Sequence, residues 1–156
     1  MVSGAIAGYP VVDVRVTVYD GKHHSVDSKE IAFITAGRKA FLTAIAAAKP
    51  IVLEPIVNIE ISVPHSHIGD ITGDLASRRG LVTGTGAPPA GAHAGQNGHS
   101  VVRGQVPMAE LISYAARLNA LTSGQGQYST TLSHHEAVPA AVQAQLVGQH
   151  RTHPDD

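Results

Sequence analysis

At residues 57–63 the chain reads Val57-Asn58-Ile59-Glu60-Ile61-Ser62-Val63. The β-branched and polar side chains alternate with a period of two, which is typical of a strand that buries one face and exposes the other. Such a strand is not stable by itself, because it needs hydrogen-bonded neighbours and a layer that covers its apolar face. The sequence that follows predicts both.

The residues after this strand predict two helices and three further strands. After a turn at 64–67, these elements are a helix over 68–79, strands over 80–86 and 100–106, a helix opened by Pro107, and a strand over 128–133. Gly80 suits the left-handed position that follows a helix, and Pro107 suits the first helical position. The resulting order, βαββαβ, is typical of a ferredoxin-like fold of the α+β class.

A second period-two pattern lies upstream. Four valines alternate with polar residues over 12–18, which predicts a half-buried strand. A helix is predicted to begin at Ser28, with Asp27 as its N-cap and Glu30 at the third position, and to end before Pro50. Its apolar residues at helical spacing are Ile31, Ile34, Phe41, Leu42 and Ile45. One strand and one helix cannot close a core, so this segment is predicted to be a piece of a larger domain.

The composition narrows the classes of function. Of the 156 residues, 43% are apolar and 4% are aromatic, so the core is predicted to be aliphatic. Eleven Lys and Arg oppose 12 Asp and Glu, and the formal net charge of -1 excludes a general electrostatic attraction to nucleic acid. Any contact with RNA would therefore have to come from a local patch of the surface. The absence of Cys excludes disulfides, Cys-ligated zinc and thiol catalysis, and it fits a cytoplasmic protein.

Sequence motifs for catalysis and metal binding are absent or incomplete. The chain has no Walker-type phosphate loop, no Gly-x-Ser-x-Gly nucleophile elbow and no apolar segment long enough to span a membrane. Histidine pairs at 23–24, 65–67 and 134–135 lie in different turns, and two imidazoles leave a zinc site incomplete. The residues predict no catalytic site, no metal site and no membrane partner.

Five motifs, in order, carry a resemblance to a known family. They are Ala7-Gly8-Tyr9-Pro10-Val11-Val12-Asp13-Val14, His24-x-Val26-Asp27-Ser28, Ala32-Phe33, Leu53-Glu54-Pro55-Ile56 and Gly69-Asp70-x-x-Gly73-Asp74-Leu75-x-x-Arg78-Arg79-Gly80. With this order and spacing, the region from about Ala7 to Val138 resembles the C-terminal part of translation elongation factor G. The family is a group of GTPases that move tRNA and mRNA through the ribosome.

The resemblance implies a division of the chain into three parts. Residues 1–54 correspond to the second half of domain IV, a partial βαβ unit of the ribosomal-protein type. Residues 55–138 correspond to domain V, a ferredoxin-like βαββαβ sandwich, and residues 139–156 form a C-terminal helix and a disordered tail. The family's GTPase domain is not in this sequence. We therefore expect no enzymatic activity and no cofactor in this chain, with GTP and Mg confined to absent domains of its parent.

The resemblance also implies a candidate site in the loop between the upstream strand and helix. His24 falls on the histidine at the tip of domain IV, which in the family reaches the small-subunit decoding region and the tRNA–mRNA there. An imidazole at this place suits a phosphate or a ribose hydroxyl. Lys22, His23, Ser25 and Asp27 are the neighbouring candidates.

A second candidate site is the arginine pair Arg78 and Arg79, which matches the family's pair at the end of the first domain V helix. In the family this domain lies near the large-subunit factor-binding centre. Arginines at a helix C-terminus also stabilise the helix dipole, so both roles stay open. The chain departs from the family at Asn119 and Gln125, where Arg is usual, and in a longer loop at 87–99. These departures imply a divergent paralogue.

Two other functions are compatible with the pattern. The first is a stand-alone RNA- or protein-binding module that uses the open sheet of a ferredoxin-like fold. Tyr128 is the only aromatic residue in the predicted strands, which is few for a sheet that stacks bases. The second is a ribosome-protection factor of the same superfamily.

Overall fold

The computed structural model describes residues 6–24, 26, 29–87 and 98–151. The helices and strands, numbered in chain order, are α1 (Glu30–Ala47), β1 (Leu53–Pro64), α2 (Ile68–Ser77), β2 (Leu81–Gly86), β3 (His99–Pro107), α3 (Tyr114–Thr122), β4 (Gln127–Ala137) and α4 (Ala140–Arg151). Short 3-10 turns lie at His65–His67 and Met108–Leu111. Among the described helices, none combines the length and the apolar character that crossing a membrane requires.

The chain forms two compact units. The first unit comprises Met1–Val52 together with Val138–Asp156, and the second unit comprises Leu53–Ala137. The helix α4 therefore belongs to the first unit. The disordered tail was predicted to begin at Arg151, which is instead the last residue of α4, and the rest of that tail, 152–156, lies outside the described residues. Most of the predicted long loop, at 88–97, also lies outside them.

The second unit has the predicted ferredoxin-like α+β architecture. Its four strands form one antiparallel sheet in the order β2-β3-β1-β4. The central strand β1 pairs with β3 through Ile59 opposite Gly104 and Ile61 opposite Val102. β1 pairs on its other edge with β4, where Ile61 lies opposite Tyr128. The predicted strand and helix order is thus confirmed.

The core of the second unit lies on one face of this sheet. From Val57 to Val63 the odd-numbered residues of β1 are buried in it, as the period-two pattern predicted, and α2 and α3 cover them. The buried cluster consists of Val57, Ile59, Ile61, Val63, Ile71, Leu75, Val102, Val106, Tyr114 and Leu118. Aliphatic side chains dominate the cluster, and Tyr114 is its aromatic member.

The helix predicted to begin at Pro107 is interrupted, and this part of the prediction is wrong. After the 3-10 turn, Ile112 is extended (φ -58°, ψ 125°) and Ser113 is left-handed (φ 63°), so α3 begins only at Tyr114. The break exposes Ile112 and buries Tyr114 completely. In a continuous helix, the directions of the Ile112 and Tyr114 side chains would be fixed relative to each other. The break removes this constraint, so Tyr114 enters the core while Ile112 stays exposed.

In the first unit, the segment predicted as a strand over 12–18 is not a strand, and its valines are exposed. A strand is stabilised by pairing, and among the described residues this segment has no strand partner. The predicted half-burial is therefore wrong. The segment was also predicted to need partner strands, and their absence among the described residues explains why its valines are exposed.

The helix of the first unit is present, with a different beginning and a smaller buried face. α1 begins at Glu30 with Lys29 as its N-cap, and the predicted N-cap Asp27 and first residue Ser28 lie outside the described residues. Phe41 is buried, whereas Ile31 and Ile34 are exposed. Only the C-terminal half of the predicted apolar face is therefore covered.

The helix α4 is attached to the residues that precede β1. The Val52 amide donates a hydrogen bond to Oε1 of Gln143 (3.0 Å), and the Val138 amide donates one to the Val52 carbonyl (3.0 Å). The C-terminal helix that the resemblance implied within 139–156 is present as α4, from Ala140 to Arg151. These hydrogen bonds hold the C-terminal segment within the first unit.

Candidate functional site

The loop that carries His24 lies in the first unit, between the valine-rich segment and α1. Just before the loop, the Gly21 amide donates a hydrogen bond to Oδ1 of Asp20 (2.7 Å). Lys22, His23 and His24 follow in irregular structure, and all three are exposed. The other two loop candidates, Ser25 and Asp27, lie outside the described residues.

This loop presents chemical groups that suit a nucleic-acid backbone. The Lys22 ammonium is a hydrogen-bond donor and a positive charge. Each imidazole of His23 and His24 has two ring nitrogens that donate or accept according to the tautomer. Because side chains of these types bind phosphate and sugar oxygens without reading the base sequence, the loop fits a backbone contact.

Arg78, the first candidate of the second unit, is held by interactions within that unit. Its Nε donates to Oδ2 of Asp74 (2.8 Å), and its Nη1 donates to the carbonyl of Glu110 (2.6 Å). Its guanidinium also lies 5.1 Å from the centre of the Tyr114 ring, which is a cation–π distance. Arg78 therefore connects α2 with the 3-10 turn before α3.

Arg79 is held even more completely. Its two terminal nitrogens donate to the two carboxylate oxygens of Glu54 (2.6 and 2.9 Å), and its Nε donates to Oε1 of Glu110 (2.9 Å). The hydrogen bonds to Glu54 raise the pKa of the Arg79 guanidinium above its usual range, although burial opposes this. Glu54 is itself buried at the beginning of β1, so the pair anchors that strand to the end of α2.

Asp74 is the centre of this arginine cluster. Its Oδ1 accepts a hydrogen bond from Nε of Arg117 (2.9 Å), while its Oδ2 accepts the one from Arg78. Burial by itself raises the pKa of Asp74, but the hydrogen bonds and charges of Arg78 and Arg117 outweigh it and leave the pKa below its usual value. Asp74 thus ties α2 to α3 as a carboxylate.

The backbone at the end of α2 shows why an arginine pair and a glycine occur together. The Gly80 amide donates to the Leu75 carbonyl (2.8 Å) and the Arg79 amide donates to the Ala76 carbonyl (3.3 Å), which is the Schellman pattern. Arg79, with φ 59°, occupies the left-handed position that the sequence assigned to Gly80. That assignment is wrong by one residue, because the ion pairs of Arg79 hold a conformation that normally favours glycine.

Gly80 is needed for space, and this leads to a testable prediction. A Cβ added there would lie 2.7 Å from the Leu75 carbonyl oxygen, which is backbone and cannot rotate away. We expect Gly80→Ala to destabilise the second unit by about 2 kcal/mol. The matched control is Gly73→Ala in α2, where an added Cβ meets nothing within 4 Å. This control is expected to stabilise by about 0.5–1 kcal/mol, because alanine is the better helix former.

The measurement for this pair is urea denaturation followed by far-UV circular dichroism. Opposite signs for the two glycine substitutions support the close approach at Gly80. Equal effects would contradict it.

A second prediction separates the two costs that meet at Arg79. Arg79→Ala leaves the Glu54 carboxylate buried without its partner and keeps the strain of a Cβ in the left-handed region, which the wild-type arginine already has, so the expected loss of about 2 kcal/mol comes from the ion pairs. Arg79→Gly also loses the ion pairs but removes the backbone strain, so it is expected to be about 1 kcal/mol more stable than the alanine variant. Thermal unfolding of both variants checks this order. An alanine variant as stable as the glycine variant would mean that the backbone strain is negligible.

Sequence reasoning missed the acidic half of this cluster. The signal for Asp74 was present, because Asp74 and Arg78 are four residues apart on a predicted helix, the spacing of an ion pair. Glu54, Glu110 and Arg117 join through tertiary structure, and their separations of 25 to 43 residues from their partners give no local signal. Neither of the two predicted roles for the arginine pair included these ion pairs.

Histidines of the pairs at 65–67 and 134–135 have side-chain partners of other kinds. His65 Nδ1 lies 3.0 Å from Oγ of Ser100, and His134 Nε2 lies 2.7 Å from Oε1 of Glu136. Within the described parts of the chain, no group of three or more His, Asp or Glu is arranged to hold a metal ion. Tyr128, the aromatic residue of the sheet, packs edge-on against Tyr114 with ring centres 5.1 Å apart. It is therefore engaged with the core of the second unit.

Comparison with known proteins covers both units. Residues 1–49 match the family described as "Elongation factor G, domain IV", and residues 51–146 match the family described as "Elongation factor G C-terminus". Elongation factor G of Aquifex pyrophilus is 42% identical over 149 residues, which are 96% of this chain and 20% of that protein. A crystal structure from Thermus thermophilus superposes with a TM-score of 0.75 at 35% identity, and the match covers 96% of this chain and 22% of that one.

The fold and these matches define a translation-factor segment made of a ferredoxin-like unit and a unit whose described regular structure is the helices α1 and α4. The chain belongs to the elongation factor G family, and it corresponds to that family's domain IV and C-terminal regions. These regions are not the family's GTPase domain. The chain spans about a fifth of the length of the relatives it matches.

Proposed function

We propose that this chain is the ribosome-engaging part of an elongation-factor-G-like translational GTPase. In this proposal the loop with Lys22, His23 and His24 contacts the tRNA–mRNA backbone in the decoding region of the small subunit, and Ser25 and Asp27 complete the loop. Residues 55–138 lie against the large-subunit factor-binding centre. The parent acts in the cytoplasm, and GTP and Mg bind only to other domains of that parent.

One observation carries the proposal: both units match the family in order, and the loop at the family's tip position is exposed and rich in donors. A lysine followed by two histidines gives this loop three exposed donor side chains at consecutive positions. Exposed polar loops on a scaffold are common places for binding residues. The proposal assigns the loop to backbone contacts with RNA.

The arginine pair has an indirect part in this proposal. Arg79 has all three side-chain nitrogens bonded to carboxylates, so its effect on ribosomal RNA comes through the shape of the helix end that it fixes. Arg78 keeps a fifth of its side chain exposed. This exposed part is the proposed direct contact with a phosphate.

A grafting experiment tests the function. Residues 1–146 replace the corresponding segment of Aquifex pyrophilus elongation factor G, and single-turnover translocation is measured with and without His24→Ala. We expect the graft to translocate and the His24→Ala graft to be about tenfold or more slower, equivalent to roughly 1.4 kcal/mol of barrier. The matched control is His135→Ala, an exposed histidine on β4. Equal rates for the His24 and His135 variants would reject the role of the loop.

A further inference from the structure

A β-bulge near the end of β4 brings two neighbouring side chains together. The register of β4 against β1 shifts between Leu132 and His134, which makes Ser133 the extra residue of the bulge. Neighbouring side chains of a regular strand point to opposite faces. Here Oγ of Ser133 lies 2.9 Å from Nδ1 of His134. The bulge therefore gives a serine hydroxyl an imidazole partner that a regular strand would keep apart from it.

The second ring nitrogen of His134 is held by a carboxylate. Its Nε2 lies 2.7 Å from Oε1 of Glu136, two residues further along the same strand. An ionised carboxylate only accepts hydrogen bonds, so Nε2 carries the ring proton of the neutral imidazole. Nδ1 is then the acceptor, and it accepts the hydroxyl proton of Ser133. Glu136 thus determines which ring nitrogen faces the serine as a base.

Side chains of two other strands fix the direction of the serine hydroxyl. Nε2 of Gln105 on β3 donates hydrogen bonds to Oδ1 of Asn58 on β1 (3.0 Å) and to Oγ of Ser133 (3.4 Å). Because an amide nitrogen only donates, Ser133 accepts this hydrogen bond and keeps its own proton for His134. One directional chain of hydrogen bonds therefore runs from Gln105 to Glu136.

We propose that Ser133 is a nucleophile that takes an acyl group from a small activated ester, with His134 as its base and Glu136 as a positioning residue. A nucleophile that is hydrogen-bonded to a base, which a third group orients, is the shared feature of acyl-transfer sites on unrelated folds. The proposal is a covalent modification of this chain, one acyl group per molecule. It does not depend on ribosome binding.

The acyl transfer is balanced without any other reactant. Oγ of Ser133 attacks the carbonyl carbon of the ester while its proton passes to Nδ1 of His134. The bond from the carbonyl carbon to the leaving oxygen then breaks, and the proton passes from Nδ1 to the leaving alcohol. The acyl group stays on Oγ and the imidazole is neutral again. The Gln105 amide, next to Oγ, is a hydrogen-bond donor close to the place where the oxyanion of the intermediate forms.

The surroundings of the serine determine the size of the acyl donor and the gain in rate. Ser133 is exposed, and the side chains of His134 and Glu136 are 42 and 61% exposed. A small ester therefore reaches Oγ directly from solvent. Since water also reaches the imidazole, we expect the gain of a general base, about 100-fold, without the larger gains of an enclosed site.

Acetylation of the full chain by p-nitrophenyl acetate at neutral pH tests the proposal, with tandem mass spectrometry to locate each acetyl group. The internal control is Ser129, an exposed serine of the same strand. We expect Ser133 to be acetylated about 100-fold faster than Ser129, and His134→Gln to remove this difference. For the positioning residue, we expect nitrogen-15 NMR to show the Nε2–H tautomer of His134 in the wild type. In Glu136→Ala we expect a mixture of tautomers and slower acetylation of Ser133.

Each comparison has a result that overturns the proposal. Acetylation of Ser133 no faster than that of Ser129 would show that the chain of hydrogen bonds only stabilises the end of the sheet. The same conclusion follows if His134→Gln leaves the rate at Ser133 unchanged, or if the wild type carries its ring proton on Nδ1. The two serines are compared within one wild-type molecule, so this result stands even where a variant fails to fold. Ribosome binding is a separate measurement, so failure of the acetylation leaves the proposed function standing.

Discussion

Replacement of Tyr114 by alanine is expected to destabilise the second unit by about 3–5 kcal/mol, which is the largest effect that we expect from a single substitution in this chain. Tyr114 is completely buried at the centre of the core cluster. Its ring receives the Arg78 guanidinium on one side and the edge of Tyr128 on another. Alanine removes these contacts and leaves a cavity that the backbone of α3 cannot fill.

Tyr114→Phe is the matched control. Within the described structure, the buried Tyr114 hydroxyl has no hydrogen-bond partner, so its removal costs little. Burial raises the pKa of Tyr114 to about 12, so the group stays neutral at ordinary pH. We expect the phenylalanine variant to stay within about 1 kcal/mol of the wild type.

Native-state hydrogen exchange at the Ile59 and Ile61 amides measures the stability of the second unit separately from the first. The expected result is a large loss of protection in the alanine variant and almost none in the phenylalanine variant. A phenylalanine variant as unstable as the alanine variant would show that the hydroxyl, and not the ring, supports the core.

The second large effect is expected for Asp74→Asn, about 3 kcal/mol at neutral pH. Asparagine keeps the shape of the side chain, but it leaves Arg78 and Arg117 without their carboxylate, and the loss of one partner of a buried ion pair is costly. Arg117 is half exposed, so solvent screens its attraction to Asp74 and limits the expected loss of stability. The control is Asp70→Asn on the same helix, where an exposed carboxylate is expected to contribute less than about 0.5 kcal/mol.

The effect of Asp74 depends on pH with a defined sign. Its pKa is lower in the folded chain than the ordinary value of 3.8, so the unfolded chain takes up a proton first as the pH falls. The stabilisation by Asp74 is complete above the unfolded pKa and is lost as the pH falls through the lower, folded pKa. Urea denaturation of wild type and Asp74→Asn at neutral pH and below pH ~3 checks this. A difference that grows on acidification would contradict the ion-pair account.

The local sequence was sufficient to predict the sheet of the second unit. β1 alternates from Val57 to Val63 with the buried face that its pattern predicts, and the βαββαβ order follows from similar local signals. The prediction for the end of α2 was nearly correct, because a special backbone role was expected at Gly80. The sequence could not indicate that Arg79 takes the left-handed position, since this depends on Glu54, which lies 25 residues away in the chain.

The errors occurred where tertiary structure overrides a local pattern. The spacing of Leu111 and Tyr114 fits a continuous helix, but the core takes Tyr114 through a break at Ser113. The valines over 12–18 have a clear strand pattern, yet a strand exists only with a partner, and the described residues offer none. The position of the candidate loop was predictable only through the family resemblance, because lysine and histidine in a polar loop have no distinctive local pattern.

Equilibrium binding of the purified chain to 70S ribosomes tests the central claim most directly, with a labelled chain at several salt concentrations. The comparison is between the triple variant K22A/H23A/H24A and Lys39→Ala, which removes an exposed lysine from α1 of the same unit. We predict saturable binding that intact elongation factor G displaces. The triple variant is expected to bind more weakly, with a smaller dependence on salt, because contacts to phosphate release counterions. Binding that intact elongation factor G does not displace, or that Lys39→Ala weakens as much as the triple variant, would contradict the account.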